Sequence, residues 1–165
     1  MVGIRRRPVI GEAAVYRAAR HLADTLTPFA PTTVLYIASG GEMLGREIAA
    51  RLGISVDALD IRYPASRVRD NWARRLVFPF KEVLYRLSRP TIRSKSALRL
   101  TQDARIVLVD DSAATGRTLR VALAALQASG IPRERVRTAV FRKGSGASDL
   151  VDCFETTERV RFEKN

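Results

Sequence analysis

The chain has 165 residues, 46% of them apolar and 28% charged. That is enough for one globular domain burying roughly 70% of its unfolded surface, and too apolar for a disordered chain. One cysteine, Cys153, and one histidine, His21, exclude a disulfide framework and an all-cysteine metal site and suit a reducing compartment, the cytoplasm. The net charge of +12 points to anionic partners, whether nucleic acid, polyphosphorylated small molecules or acidic membrane surfaces.

No stretch approaches the ~20 apolar residues of a membrane span, and Arg5, Arg6 and Arg7 are not followed by the apolar core of a signal peptide. From residue 12 to 29 the spacing of Val15, Ala18, Leu22, Leu26 and Phe29 predicts a helix closed by Pro31. His21 falls within this pattern and reads as a packed or half-exposed side chain rather than a ligand or base. A buried strand follows over residues 33–38 (TVLYIA), then the turn Ser39-Gly40-Gly41, then a helix with Leu44, Ile48, Ala49 and Leu52 inward and Gly53 at its left-handed cap. Residues 54–61 alternate as a strand, which completes one βαβ unit.

Residues 62–100 form a basic segment. Between Arg62 and Lys95 stand ten Lys and Arg against Asp70 and Glu82, a local excess of +8. Two short amphipathic stripes, Val68/Trp72/Leu76 and Val83/Leu84/Leu87, are split by Pro79 and predict a broken helix or helical hairpin. Such an insertion could pack on the domain edge, act as a lid, form a subunit contact, or bind nucleic acid through Trp72, Phe78, Phe80 and Tyr85. Beyond it the first grammar returns: a buried strand over 105–109 (RIVLV), a polar loop from Asp110 to Gly116, a helix with Leu119, Ala122, Leu123 and Leu126 inward, a stop at Gly130 and Pro132, and a strand over 136–142. The tail from Asp149 to Asn165 shows no strong periodicity.

This alternation predicts an α/β fold, a mainly parallel twisted sheet with helices on both faces and ligands at the C-terminal strand ends. Those ends are Ser39 to Gly41 and Asp110 to Thr118. The stretch Ile106 to Leu119, IVLVDDSAATGRTL, sets two carboxylates at a strand end and Thr-Gly-Arg-Thr at a helix start. The unpaired amides of a helix N-terminus hold a phosphate well, here over Ala113 to Thr118. Ser112, Thr115 and Thr118 add hydroxyls, and Gly116 permits close approach. Two adjacent acids in a dry site call for a cation or several hydroxyl donors. A Walker A loop fails, because Asp111 stands five positions before Gly116 where it needs glycine, and Arg117 stands where it needs lysine. Two acids capping a helix in an unrelated α/β protein is the plainer alternative.

The same stretch resembles the phosphoribosyl pyrophosphate signature of type I phosphoribosyltransferases: four hydrophobic residues, two acids, a short variable stretch, then Thr-Gly-x-Thr. The resemblance implies one domain over 1–165, with 62–100 as the mobile-loop insertion and 143–165 as a hood or base-binding tail. It implies that Asp110 and Asp111 hold the ribose hydroxyls, and Mg2+, directly or through water. It further implies that Ser112, Ala113, Ala114, Thr115, Gly116, Arg117 and Thr118 cradle the 5-phosphate. Ser39, Gly40 and Gly41 would form the pyrophosphate loop, aided by Arg62 and Arg67, although any one arginine here reads equally as part of a solvated basic face.

Phe141-Arg142-Lys143-Gly144, with Phe154 beyond it, is similar to the base pocket of xanthine-guanine phosphoribosyltransferases. There a lysine reads the purine 6-oxo group and a later aromatic stacks on the ring. Lys143 and Phe154 take those roles by resemblance; a surface lysine after a strand is the alternative. Two departures stand out: Ala114 occupies the place where oxopurine enzymes carry an acid, and the tail lacks a tryptophan, which leaves Phe154 or Phe162. The expected partners are phosphoribosyl pyrophosphate and a nucleobase, a purine first; the expected assembly is a homodimer. Two rivals remain: a phosphoribosyl pyrophosphate or nucleotide-sensing regulator that binds RNA or DNA, and a Rossmann-type methyltransferase or dehydrogenase using Gly40, Gly41, Gly45 and Asp60. The second lacks the G-x-G-x-x-G spacing.

Overall fold

The computed structural model describes residues 9–38, 40–62, 91–93, 100–101, 103–158 and 160–162. In chain order the elements are β1 (Val9–Ile10), α1 (Glu12–Leu26), β2 (Thr33–Ile37), α2 (Glu42–Leu52), β3 (Ser55–Arg62), β4 (Thr91–Arg93), β5 (Ile106–Ala113), α3 (Arg117–Ala128), β6 (Val136–Lys143), β7 (Cys153–Thr156) and β8 (Arg161–Phe162). Six strands form one sheet in the order β4-β3-β2-β5-β6-β7, and β1 pairs with β8 separately. All neighbours in the large sheet are parallel except β3 and β4.

Parallel strands joined by helical crossovers need apolar side chains on both faces, and the strand sequences supply them alternately. Leu35, Ile37, Leu59, Ile106, Leu108 and Val140 join Leu119, Ala122 and Leu126 of α3 in one core cluster. Val34, Tyr36, Val107, Val109, Ala139 and Phe141 join α1 and α2 in the other, through Val15, Ala18, Leu22, Leu26, Leu44 and Ile48. Continuous apolar runs such as Ile106 to Val109, fully buried throughout, therefore mark a strand covered on both sides. Leu22, Leu26, Ile48, Leu119 and Leu126 are the helices' deepest anchors, each contributing about 2 kcal/mol by leaving water.

From β2 the chain crosses to β3 on one side, and from β5 to β6 on the other. Strand order thus reverses between β2 and β5, and the C-terminal ends of these two strands flank a crevice, the place where sheets of this kind bind ligands.

Four details differ from the sequence expectation. First, α1 ends at Leu26 rather than running to residue 29. Thr27–Phe29 tightens into a 3-10 turn with Pro28 in its first turn and Ala30 left-handed at φ 50, because proline cannot donate the next helical hydrogen bond. Second, β5 does not stop at Val109 but carries Asp110 to Ala113 in register with β6. Third, residues 91–93, inside the segment expected to be helical, pair antiparallel with β3 as β4; the rest of that segment lies outside the described residues. Fourth, the tail forms β7 and β8. Among the described residues, no helix is long and apolar enough to cross a membrane.

Candidate active site

The acidic pair sits at the reversal point, on the part of β5 that outruns β2. The two carboxyl groups are neighbours and act directly on one another. Asp110 is buried, with 8% of its surface exposed, and lines a cavity of about 140 Å³ together with Ser112 to Leu119. Asp111 lies instead against the β2–α2 turn, where a methyl on Gly40 would meet its Cγ at 2.6 Å. A methyl on Gly41 would meet the Val109 carbonyl oxygen at 2.6 Å. Glycine is therefore required here by close approach of backbone to strand end. The turn is held by Gly41 N donating to Ile37 O at 3.1 Å and Ala38 N to Leu59 O at 3.0 Å.

Burial, and next the charge of Asp111, hold the Asp110 carboxyl well above the usual carboxylate range. Asp110 Oδ1 accepts the Asp111 amide at 2.9 Å, which partly offsets that push. A cation or hydroxyl donors arriving in the cavity would relieve the rest.

The cavity floor is the entry to α3. Gly116 takes the left-handed conformation at φ 70, and no side chain caps the helix, so its first-turn amides face the cavity with their partial positive charge. Behind the loop, Gly144 N donates to Ala113 O at 2.8 Å, and Leu150 Cδ1 would stand 2.5 Å from a methyl on Gly116. Arg120 Nη1 donates to Thr115 O at 2.9 Å. The 113–116 loop is thus braced from below by α3 and from behind by the turn after β6.

That turn is itself pinned. The buried Thr138 hydroxyl donates to Leu150 O, and the Asp152 carboxylate accepts from Thr138 N at 2.8 Å and Arg133 Nη2 at 3.0 Å. At the end of β6, Lys143 Nζ stands 3.9 Å from the centre of the Phe154 ring, a cation–π distance, so the two residues expected to meet the base do come together. Phe154 also packs against the core. Arg62, at the end of β3, gives its Nε to the Asp60 carboxylate at 2.7 and 3.0 Å. Ser39 and Arg67 lie outside the described residues. His21 stays on α1 with Nδ1 2.9 Å from Glu155, and it is exposed rather than packed or half-exposed.

A family model for the phosphoribosyl transferase domain matches residues 10–160. The chain belongs to this family. Among curated proteins it is 30% identical over 128 residues to the bifunctional protein PyrR of Akkermansia muciniphila, a match covering 75% of this chain and 66%, just under two thirds, of that one. Among solved structures, a purine phosphoribosyltransferase from Pyrococcus horikoshii superposes with TM-score 0.70 at 21% identity, over 96% of this chain and 98% of that one. A xanthine-guanine-hypoxanthine phosphoribosyltransferase from Helicobacter pylori gives 0.68 at 12%, over 96% and 90%. These likenesses fix the α/β fold, and family membership removes the footing of the Rossmann-type reading.

Two features of the phosphoribosyltransferase site were not read from the sequence. The Gly144–Ala147 turn that backs the loop shows only as a Gly-rich stretch, an ordinary loop signal. Arg142, whose Nη1 reaches Ser112 Oγ at 3.2 Å, gives no local signal at all, since its partners are 30 and 16 residues away.

Proposed function

We propose that this protein transfers the 5-phosphoribosyl group from phosphoribosyl pyrophosphate to a nitrogenous base, with a purine as first expectation, and releases pyrophosphate. The observation that carries this reading is the cavity in which the Asp110 carboxyl and the uncapped start of α3 share one wall-and-floor arrangement. A sugar hydroxyl and a phosphoester are the two groups such a cavity serves together. In the reaction a base nitrogen bonds to C1 of the ribose and the C1–O bond to pyrophosphate breaks. The bonding pair leaves with the pyrophosphate, and the base gives up a proton.

On this reading Asp110 and Asp111 hold the ribose hydroxyls, and residues 112–118 hold the 5-phosphate. Gly40 and Gly41, with Ser39, meet the leaving group, assisted by Arg62 and Arg67. Positive charge develops at C1, so most of the rate comes from orientation and from charge around the departing pyrophosphate. The Arg62–Asp60 pair is half-exposed and worth at most ~1 kcal/mol, so Arg62 is readily exchanged onto a phosphate. Mg2+ fits the donor set. Two carboxylates offer hard oxygen ligands, and no cluster of three or more His, Cys, Asp or Glu gathers among the described residues. An ion held by Asp110 and Asp111 and otherwise by substrate and water oxygens matches magnesium's habits. When bound, it supplies charge neutralisation to the pyrophosphate.

The purine preference is supported by Lys143 above Phe154 and by the likeness to the purine phosphoribosyltransferase of Pyrococcus and the xanthine-guanine-hypoxanthine phosphoribosyltransferase of Helicobacter. Its test is a screen of free bases for pyrophosphate release with magnesium. Lys143→Met is expected to raise the KM of a 6-oxopurine roughly tenfold or more, the loss of one charged hydrogen bond, and to leave the KM for phosphoribosyl pyrophosphate within about twofold. An equal change in both would remove Lys143 from the base pocket. The proposal also takes the chain as a single domain with 62–100 as a basic insertion and 143–165 as a hood or base-binding tail, working in the cytoplasm as a homodimer.

A second reading, a regulator on the same fold that binds RNA or DNA, is favoured by the +8 basic segment and by the name bifunctional carried by the Akkermansia relative. Salt-dependent binding to random oligonucleotides without turnover on any base would select it.

A further inference from the structure

The Arg142 guanidinium reaches in two directions. Nη1 donates to Ser112 Oγ at 3.2 Å, in the strand that carries the acidic pair. Nε donates to the Glu158 carbonyl oxygen at 2.9 Å, in the tail beyond β7. Arg142 itself is anchored in β6, in register with Ser112 on one side and Thr156 on the other. One rigid fork therefore ties three segments at the C-terminal edge of the sheet: the start of the 112–118 loop, the strand leading to Lys143, and the tail.

Glu158 lies between two paired strands, β7 held to β6 as far as Thr156 and β8 held to β1. Its amide donates locally, to Thr156 Oγ1 at 3.1 Å, so among the described residues the Arg142 bridge is the tie from this connection to the loop side of the sheet. A planar guanidinium holds two partners in fixed relative geometry, which a lysine ammonium on a flexible stem does not. Ser112 also lines the cavity assigned above to the phosphoribosyl group. Any ligand that recruits the Ser112 hydroxyl as a donor leaves its oxygen oriented to accept from Arg142, and so strengthens the bridge.

We propose that Arg142 is a positioning residue that transmits occupation of the 112–118 loop to the tail at Glu158, so that phosphoribosyl pyrophosphate orders the tail before the base arrives. This deepens the proposed function and rests on that reading of the site. It assigns Arg142 no contact with either substrate. The coupling is a free energy shared between two sites, and the bridging hydrogen bonds are the physical element that both bias.

Hydrogen exchange followed by mass spectrometry, with phosphoribosyl pyrophosphate and Mg2+ as the probe, tests this without knowing the base. In the wild type the ligand is expected to slow exchange both in residues 112–119 and in residues 153–160, the latter by about fivefold, the low end of ordinary site-to-site coupling. In Arg142→Met the loop should still be protected and the tail should not. Arg142→Lys should behave like the methionine variant, because charge without the fork does not bridge. Ser112→Ala cuts the same link from the other end, with little risk to folding at a half-exposed position, and should also uncouple the tail. Tail protection that survives in both Arg142→Met and Ser112→Ala, or a wild type whose loop is protected while its tail is not, overturns the inference. A wild type in which neither segment responds overturns the reading of the site itself.

Discussion

Asp111→Asn is expected to lower the rate of pyrophosphate release by about a hundredfold or more while leaving the fold intact. The substitution keeps the shape that fits against Gly40 and removes an anionic acceptor from the place proposed for the ribose hydroxyls and magnesium. Losing one oriented electrostatic contact in a closed site costs about 10²- to 10³-fold in turnover. The carboxylate is not a core group, and no apolar contact is lost, so the thermal midpoint should move little. Initial-rate measurement of pyrophosphate release, together with a thermal unfolding scan of the same sample, separates the two effects. Wild-type turnover in the variant would remove Asp111 from the site.

Gly41→Ala should damage both activity and stability. Its added methyl would stand 2.6 Å from the Val109 carbonyl oxygen and 3.0 Å from Asp110 Cα. These are backbone atoms of a fully buried strand, and no side-chain rotation relieves them. Either the β2–α2 turn or the end of β5 must shift. Overpacking of this kind costs about 1 to 3 kcal/mol. The shift also lands on the acidic pair, and small displacements of positioned groups cost large factors in rate, so pyrophosphate release should fall more than tenfold. A urea titration gives the stability change and the same release assay gives the rate. A variant with the wild-type urea midpoint and full activity would show that the turn does not press on β5 in solution.

The parts of this fold that were legible in the sequence are those where local pattern and tertiary packing agree. The inward stripes of α1 and α3 and the buried runs of β2 and β5 lie in the two core clusters as their periodicity indicates. Gly53 caps α2 in the left-handed conformation at φ 65. What escaped depends on partners distant in sequence. Polar Asp110 to Ser112 reads as loop, yet it remains strand because β6 continues alongside it with Asp110 opposite Val140 and Ser112 opposite Arg142. The short β7 has no pattern of its own and exists through its register with Ala139 and Val140. β1 and β8 pair across nearly the whole chain. At the site, the Asp-Asp and Thr-Gly-Arg-Thr spacing marks the cavity well. The Arg142 bridge arises only when three strands are laid side by side.

The most direct test of the 110–118 cavity is calorimetric titration of the 165-residue chain with phosphoribosyl pyrophosphate in the presence of magnesium. One binding event per chain is expected, weakened when Asp111 is replaced by Asn. A flat titration of correctly folded protein would contradict the assignment of this cavity to a ribosyl phosphate.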